Sequence, residues 1–174
     1  MATVNVQFAD SSELVVVGVF ACEQDAEACP HQAQIDDSDQ RYLAFANPLA
    51  TLAGAKAAQV AAIAAACQAA ITAGFVSSAL GAAHTYPAQM TDQQNLAASV
   101  LASLMPSLPS GWTTPFWCED GSGNWLYASH TATQIQQVGQ DGKTAVIAAI
   151  QKKATLVAQI NAATTVAAAQ VISW

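Results

Sequence analysis

The chain has 174 residues and a net charge of −7, with 10 % charged and 53 % hydrophobic residues. Five basic residues against twelve acidic ones exclude the basic footprint that nucleic-acid binding requires and disfavour anionic membrane surfaces. The low charge also excludes a disordered chain, and the length suits one domain, or a small domain with an appendage.

Alanine supplies 40 residues, so the core is expected to rest on small side chains carried by long helices. So few surface charges suit a free-standing monomer poorly, and much of the surface is expected to meet other protein. Met1–Phe8 lacks the charged start of a secretory leader, and none is expected.

In chain order, residues 3–9 alternate, with Val4, Val6 and Phe8 facing one way. After the turn at Asp10-Ser11-Ser12, Leu14 to Phe20 is apolar on both faces and reads as a strand covered on two sides. The two form a hairpin. Residues 22–40 read as an acidic, irregular segment. Asp37 or Ser38 then caps a short helix through Arg41, Tyr42, Leu43 and Phe45. Asn47-Pro48 marks a boundary, because Asn is a good helix cap and Pro is favoured at the first helical position. The helix that follows runs to Ala73 and stops at Gly74. Its stripe is Leu49, Leu52, Val60, Ile63, Cys67 and Ile71. No charge interrupts Ala57–Thr91, but Gln59, Gln68 and Gly74 break up the apolar stretch. A protein-packed helix is therefore expected, not membrane insertion.

Phe75–Pro87 predicts a small hairpin turning near Leu80-Gly81. Thr91-x-x-Gln94 is a capping-box pattern before a short helix carrying Leu96, Val100 and Leu104, which Pro106 and Pro109 end. A third hairpin covers residues 112–130, with Trp112, Phe116, Trp117, Trp125 and Tyr127 on its strands and a turn at 120–124. Pro115 makes its strand an edge or a bulged one. Thr131-x-x-Gln134 is a second capping box. The helix after it is expected to loosen at Gly139 and Gly142 and to run regularly from Lys143 to about Ala163. Val146, Ile150, Val157 and Ile160 form its stripe, interrupted by Lys153. A last helix spans Thr165–Ile172, and Trp174 is expected to be tied down in the core. The fold class is α+β: alanine-rich helices dominate, with two or three β-hairpins.

Little in the sequence carries chemistry. Cys22, Cys29, Cys67 and Cys118 fit neither a disulfide framework nor a paired zinc site. Cys67 and Cys118 read as small buried hydrophobes, and a local Cys22–Cys29 disulfide stays open. Gly139–Thr144 ends in Gly-Lys-Thr, but Gln137 stands where a phosphate loop needs glycine. Asp36-Asp37-Ser38-Asp39 lacks the glycine and glutamate of a calcium loop and reads as a solvated turn. No nucleophile elbow or zinc-protease motif is present. No enzyme activity, catalytic residue, metal or cofactor is expected.

Several motifs together resemble a domain-of-unknown-function family common in tailed phages and prophages, usually encoded beside tail-fibre genes. They are Ala73-Gly74-Phe75, Gly81 with His84-x-Tyr86, and Asp92-Gln93-x-Asn95-Leu96, followed by the Trp-rich hairpin. Gln134-Ile135-x-Gln137-Val138-Gly139 and Thr164-Thr165-Val166…Ile172-x-Trp174 complete the pattern, which spans residues 48–174. Val6-x-Phe8-Ala9-Asp10, Cys22-x-Gln24-Asp25 and Arg41-Tyr42-Leu43-Ala44-Phe45 look like the N-terminal extensions of such tail proteins. The resemblance implies a virion tail component: a fibre, fibre-attachment or baseplate-peripheral protein, made in the host cytoplasm and resident in the particle.

Composition independently suits assembly with copies of itself or with neighbours, and the resemblance implies a homo-oligomer that also binds other tail proteins. Trimers are the common form of fibre assemblies, and the Val146–Ile160 stripe, short and interrupted by Lys153, offers either a seam between copies or an intrachain helix pair. The expected interaction residues are Leu14, Val16, Phe20, Trp112, Trp117 and Trp125. Residues 1–47 are expected to dock the protein and residues 48–174 to form the displayed body. Two alternatives remain: a tail-fibre assembly chaperone absent from the mature virion, and a small enzyme of unknown substrate.

Overall fold

Alternating Val4, Val6 and Phe8 build strand β1 (Thr3–Phe8), which pairs antiparallel with β2 (Val16–Phe20). The structure, a computed structural model, describes residues 2–174. Helices dominate it, and two small antiparallel sheets make it a mixed α+β fold, as the sequence pattern predicts. The chain divides into two units. One runs from the N-terminus through Ala62 and includes Leu156–Ser173; the other is Ile63–Thr155 with Trp174.

In the first unit the sheet has three strands in the order β2-β1-β3. The third, β3 (Gln32–Asp36), lies in the stretch expected to be irregular. Its Gln-Ala-Gln-Ile alternation pairs with β1 from Gln32↔Gln7 to Asp36↔Thr3. The strand expected over Leu14–Phe20 begins only at Val16, and its two-sided apolar character has a different cause. A bulge opposite Gln7 and Phe8 puts Val16 across from Phe8 and Val19 across from Val6. An extra residue in one strand shifts the alternation, so Val16 is buried while Val17 is half exposed.

Val6, Phe8 and Val16 form this sheet's core, with Val4, Ala33, Ile35 and Tyr42 packed against them. Tyr42 comes from helix α1 (Gln40–Ala46). Its cap is Asp39, not Asp37 or Ser38: the Asp39 carboxylate accepts the Arg41 backbone N–H at 2.8 Å and pairs with the Arg41 guanidinium at 2.7 Å. The hydrogen bond from Arg41 holds the Asp39 carboxyl down at about 2. Asp36 instead closes the preceding turn through the Ser38 backbone and hydroxyl. The acidic run is therefore a turn and a cap.

Pro48 does not open the long helix. Pro48–Ala50 forms a 3-10 turn, and α2 (Leu52–Thr72) starts after Thr51. Thr51 Oγ1 accepts the Gly54 N–H at 3.0 Å, which makes Thr51 the working cap. Leu49, expected on the stripe, is left exposed. Within the same unit Lys56 Nζ donates to the Asn161 carbonyl, and Gln59 Nε2 donates to the Ile172 carbonyl. Ala55, Ile160 and Ala169 are buried there. By length and composition α2 could cross a membrane, but its Lys56 and Gln59 side chains are tied to protein carbonyls. The terminal helix α5 (Val166–Gln170) is capped by the Thr165 side chain.

The second unit holds the larger sheet. The hairpin β4 (Phe75–Ser77)–β5 (His84–Tyr86) and the hairpin β6 (Thr113–Glu119)–β7 (Trp125–Thr131) join at Thr85↔Glu119 into the order β4-β5-β6-β7. Because β5 meets β6 only at Glu119, the edge of β6 that carries Pro115 is otherwise free. Asp120 organises the β6–β7 turn by accepting from the Ser122 and Asn124 backbone N–H groups.

Helix α3 (Met90–Ser103) begins two residues earlier than Thr91-x-x-Gln94 suggests, with Gln89 as its cap and Asp92 Oδ2 accepting the Gln89 N–H at 3.0 Å. The second capping box forms as expected: Gln134 Oε1 accepts the Thr131 N–H at 2.9 Å. Helix α4 (Ala132–Ala162) does not loosen at its glycines. It is continuous through Gly139–Thr144, so this segment is not a loop of any kind. Trp174 is half-buried, with Lys152 Nζ 4.5 Å above its ring.

Candidate functional site

Phe75, Tyr86, Leu96, Ile135 and Val138, all within the resembling motifs, meet in one core. Tyr86, Leu96, Phe116, Cys118, Ile135 and Val138 are buried together, with Phe75, Val100 and Trp112 packed around them. Gly74 ends α2 with φ of +103°, a conformation that favours glycine. Phe75 stacks on Tyr86 with ring centroids 5.6 Å apart. Strand alternation explains the rest. Phe116 and Cys118 on β6 face Ala128 and Leu126 on β7, and two residues past Ala128 comes His130, fully buried.

His130 is the chemically notable group. Its Nε2 and the Tyr86 hydroxyl are 2.8 Å apart, and its Nδ1 is 2.9 Å from the Ala128 carbonyl. A carbonyl can only accept, so Nδ1 carries the proton and Nε2 accepts from Tyr86. Burial pushes the imidazole below its ordinary value, against a smaller upward pull from the Ala128 carbonyl. Burial likewise raises the Tyr86 phenol and the Cys118 thiol. These shifts favour the neutral forms of all three groups. Both ring nitrogens of His130 are engaged and the ring is closed to solvent, so the pair holds the sheet together.

A pH prediction follows. The folded His130 titrates below about 6.5, where the unfolded chain's histidine titrates. Below that pH the unfolded state binds the extra proton, so stability is full above about 6.5 and falls as pH drops through it. Melting temperature is expected to fall between pH 7.5 and pH 5, before carboxylates titrate, and His130→Phe is expected to flatten that dependence. An equal slope in the variant contradicts it.

The opposite face of the same hairpin points outward. Trp117, Trp125 and Tyr127 are 39, 42 and 70 % exposed. Trp117 and Trp125 stack at 6.1 Å and 23°, and Trp117 meets Tyr127 at 4.8 Å and 57°. The aromatic hairpin therefore serves the core on one face and the surface on the other. A groove of about 550 Å³ lies beside this platform, lined by Asp92, Asn95 and Ser99 of α3 and by Phe116, Trp117 and Tyr127.

A second, larger cleft of about 710 Å³ is lined by α2, α3 and α4. Its walls are mostly apolar, with Gln93, Gln136, Gln140 and Lys143 among them, and Leu101, Leu104, Ile147 and Ile150 remain 66, 62, 42 and 51 % exposed.

The structure sorts the six expected interaction residues. Val16 is buried in its own sheet, and Trp112, half-buried, packs on the core of the second unit. Leu14 is 73 % exposed on the approach to the edge strand β2, Phe20 is half-buried, and Trp117 and Trp125 lie on the aromatic platform. Sequence reasoning missed Leu101 and Ile147 on the cleft, and Asp92, Asn95 and Ser99 beside the platform. The signal for the last three was their spacing of three and four residues, which puts them on one helix face. All four cysteines are free. Among the described residues no group of three or more His, Cys, Asp or Glu side chains is placed to hold a metal.

Fold and surfaces together define a helix-dominated α+β protein with an aromatic platform and a largely apolar cleft. Residues 54–173 match the family model described as a domain of unknown function, DUF4376, and the chain belongs to that family. No curated protein and no solved structure matches it.

Proposed function

We propose that this chain is a structural component of a phage tail, a fibre, fibre-attachment or baseplate-peripheral protein that works through protein–protein assembly. It self-associates, with a trimer as the favoured form, and binds other tail proteins. The observation that carries the assembly reading is the cleft formed by α2, α3 and α4. Exposed contiguous apolar surface is costly in water and marks an interaction site, and Leu101, Leu104, Ile147 and Ile150 gather at this one. The chain's low charge and the resemblance to proteins encoded beside tail-fibre genes supply the rest.

Sedimentation at micromolar concentration tests self-assembly. The chain is expected to run as an oligomer, and Leu104→Asp with Ile150→Asp is expected to release monomers that keep the native circular dichroism. A wild-type chain that sediments as a monomer counts against self-assembly.

Docking to the tail is assigned to residues 1–47. Leu14 and Val15, just before β2, and Val17 within it are 73, 58 and 51 % exposed, and β2 is an edge strand of its sheet. Exposed apolar edges invite pairing with another chain. A chain beginning at residue 48 is expected to stay folded and to fail to enter particles. Unfolding of that shortened chain overturns the docking assignment.

A further inference from the structure

The groove beside the aromatic platform differs in chemistry from the apolar cleft and plays no part in the assembly reading. The geometry points to a binding site for a neutral oligosaccharide, with Trp117 and Tyr127 as stacking faces and Asp92, Asn95 and Ser99 as hydrogen-bonding groups. At about 550 Å³ the groove falls within the roughly 300–1,000 Å³ of small-molecule sites.

Its two walls suit the two kinds of surface a sugar ring presents. Aromatic rings carry a negative face, which attracts the weakly positive C–H face of a pyranose. Trp117 is held for this by its near-parallel stack on Trp125, so little freedom is lost on binding. Across the groove α3 offers a carboxylate, an amide and a hydroxyl, which together accept from and donate to sugar hydroxyls. Asp92 is oriented by the Gln89 N–H at one oxygen, 3.0 Å away. The lining from Asp92 to Ala102 runs along about 15 Å of helix, which fits an extended ligand and not a compact ammonium group.

Charge and backbone narrow the occupant further. No Lys or Arg lines the groove and the chain carries −7, so acidic sugars and phosphates are disfavoured. An added peptide strand would lie along the free edge of β6, where Pro115 has no N–H to donate and blunts strand pairing.

Titration calorimetry on the full chain tests the site. The probes are maltotriose, cellotriose and triacetylchitotriose, with trigalacturonate and choline as comparators. At least one neutral trisaccharide is expected to bind saturably. Its affinity is expected to fall at least about tenfold in Trp117→Ala, Tyr127→Ala and Asn95→Ala, and to stay unchanged in Leu49→Ala, an exposed position outside both the groove and the cleft. Tyr127, 70 % exposed, is the variant to rely on if Trp117→Ala fails to fold. The proposal is overturned if no neutral probe binds, if only trigalacturonate or choline binds, or if binding survives the aromatic substitutions. A Tyr127→Ala chain that changes oligomeric state also overturns it, because the platform is then an interface between copies. None of these outcomes depends on residence in a virion.

Discussion

Tyr86→Ala is expected to destabilise the second unit by about 3–5 kcal/mol, the usual cost of removing a fully buried aromatic ring. That is a large share of the roughly 5–15 kcal/mol that holds a domain folded. Three neighbours make the effect large. Phe75 stacks on Tyr86, Phe116 lies 6.3 Å from it, and His130 accepts its hydroxyl proton. The conservative Tyr86→Phe isolates one contribution. It keeps the ring and leaves His130 Nε2 buried without a donor, an expected cost of about 1–3 kcal/mol. Urea denaturation followed by near-ultraviolet circular dichroism measures both. A Tyr86→Ala shift below about 1 kcal/mol would mean the sheet does not depend on this ring.

The second prediction reverses a common rule. In an exposed helix interior, Gly→Ala stabilises by about 1 kcal/mol. Gly142→Ala is expected to destabilise instead, by about 1–3 kcal/mol, because an added methyl overpacks the site. A Cβ at 142 would lie 2.8 Å from Phe75 Cζ, and one at 139 would lie 2.7 Å from Val100 Cγ2. The first displaces Phe75 from its stack on Tyr86; the second pushes α3 from α4. Gly142→Ala combined with Phe75→Leu is expected to lose less than the two singles summed, since the shorter side chain makes room. A stabilising Gly142→Ala contradicts the close approach.

The same two glycines show where sequence reading stops. Propensity alone marks Gly139 and Gly142 as a break, yet α4 runs straight through them because its neighbours demand a surface without Cβ. Tertiary packing overrides local preference, and no local pattern reveals which glycines are steric. The three consecutive valines at 15–17 mislead in the opposite way. They suggest a strand covered on both faces, whereas a bulge sends Val16 inward and leaves Val17 out. At Pro48 the expected helix start gives way to a 3-10 turn, because Thr51, three residues on, caps α2.

Much else was legible. The turn at 120–124, the Thr131–Gln134 capping box and the stop at Gly74 follow from local chemistry, and all three form. Strand alternation counted from Trp125 puts His130 on the inward face. Its partner was not readable, since Tyr86 lies 44 residues away and a long-range pair leaves no local trace. Aromatic density located the hairpin, but only the strand register separates Trp117 and Trp125 on the surface from Phe116 in the core.

The proposed assembly role is tested most directly by quantitative mass spectrometry of phage particles purified from cells that carry the gene for this chain. A tail component is expected in the particle at a fixed ratio to the major tail proteins, unchanged by further purification. A chain abundant in the infected cell yet absent from virions, or far below stoichiometry, contradicts the structural role and identifies a transient assembly factor instead.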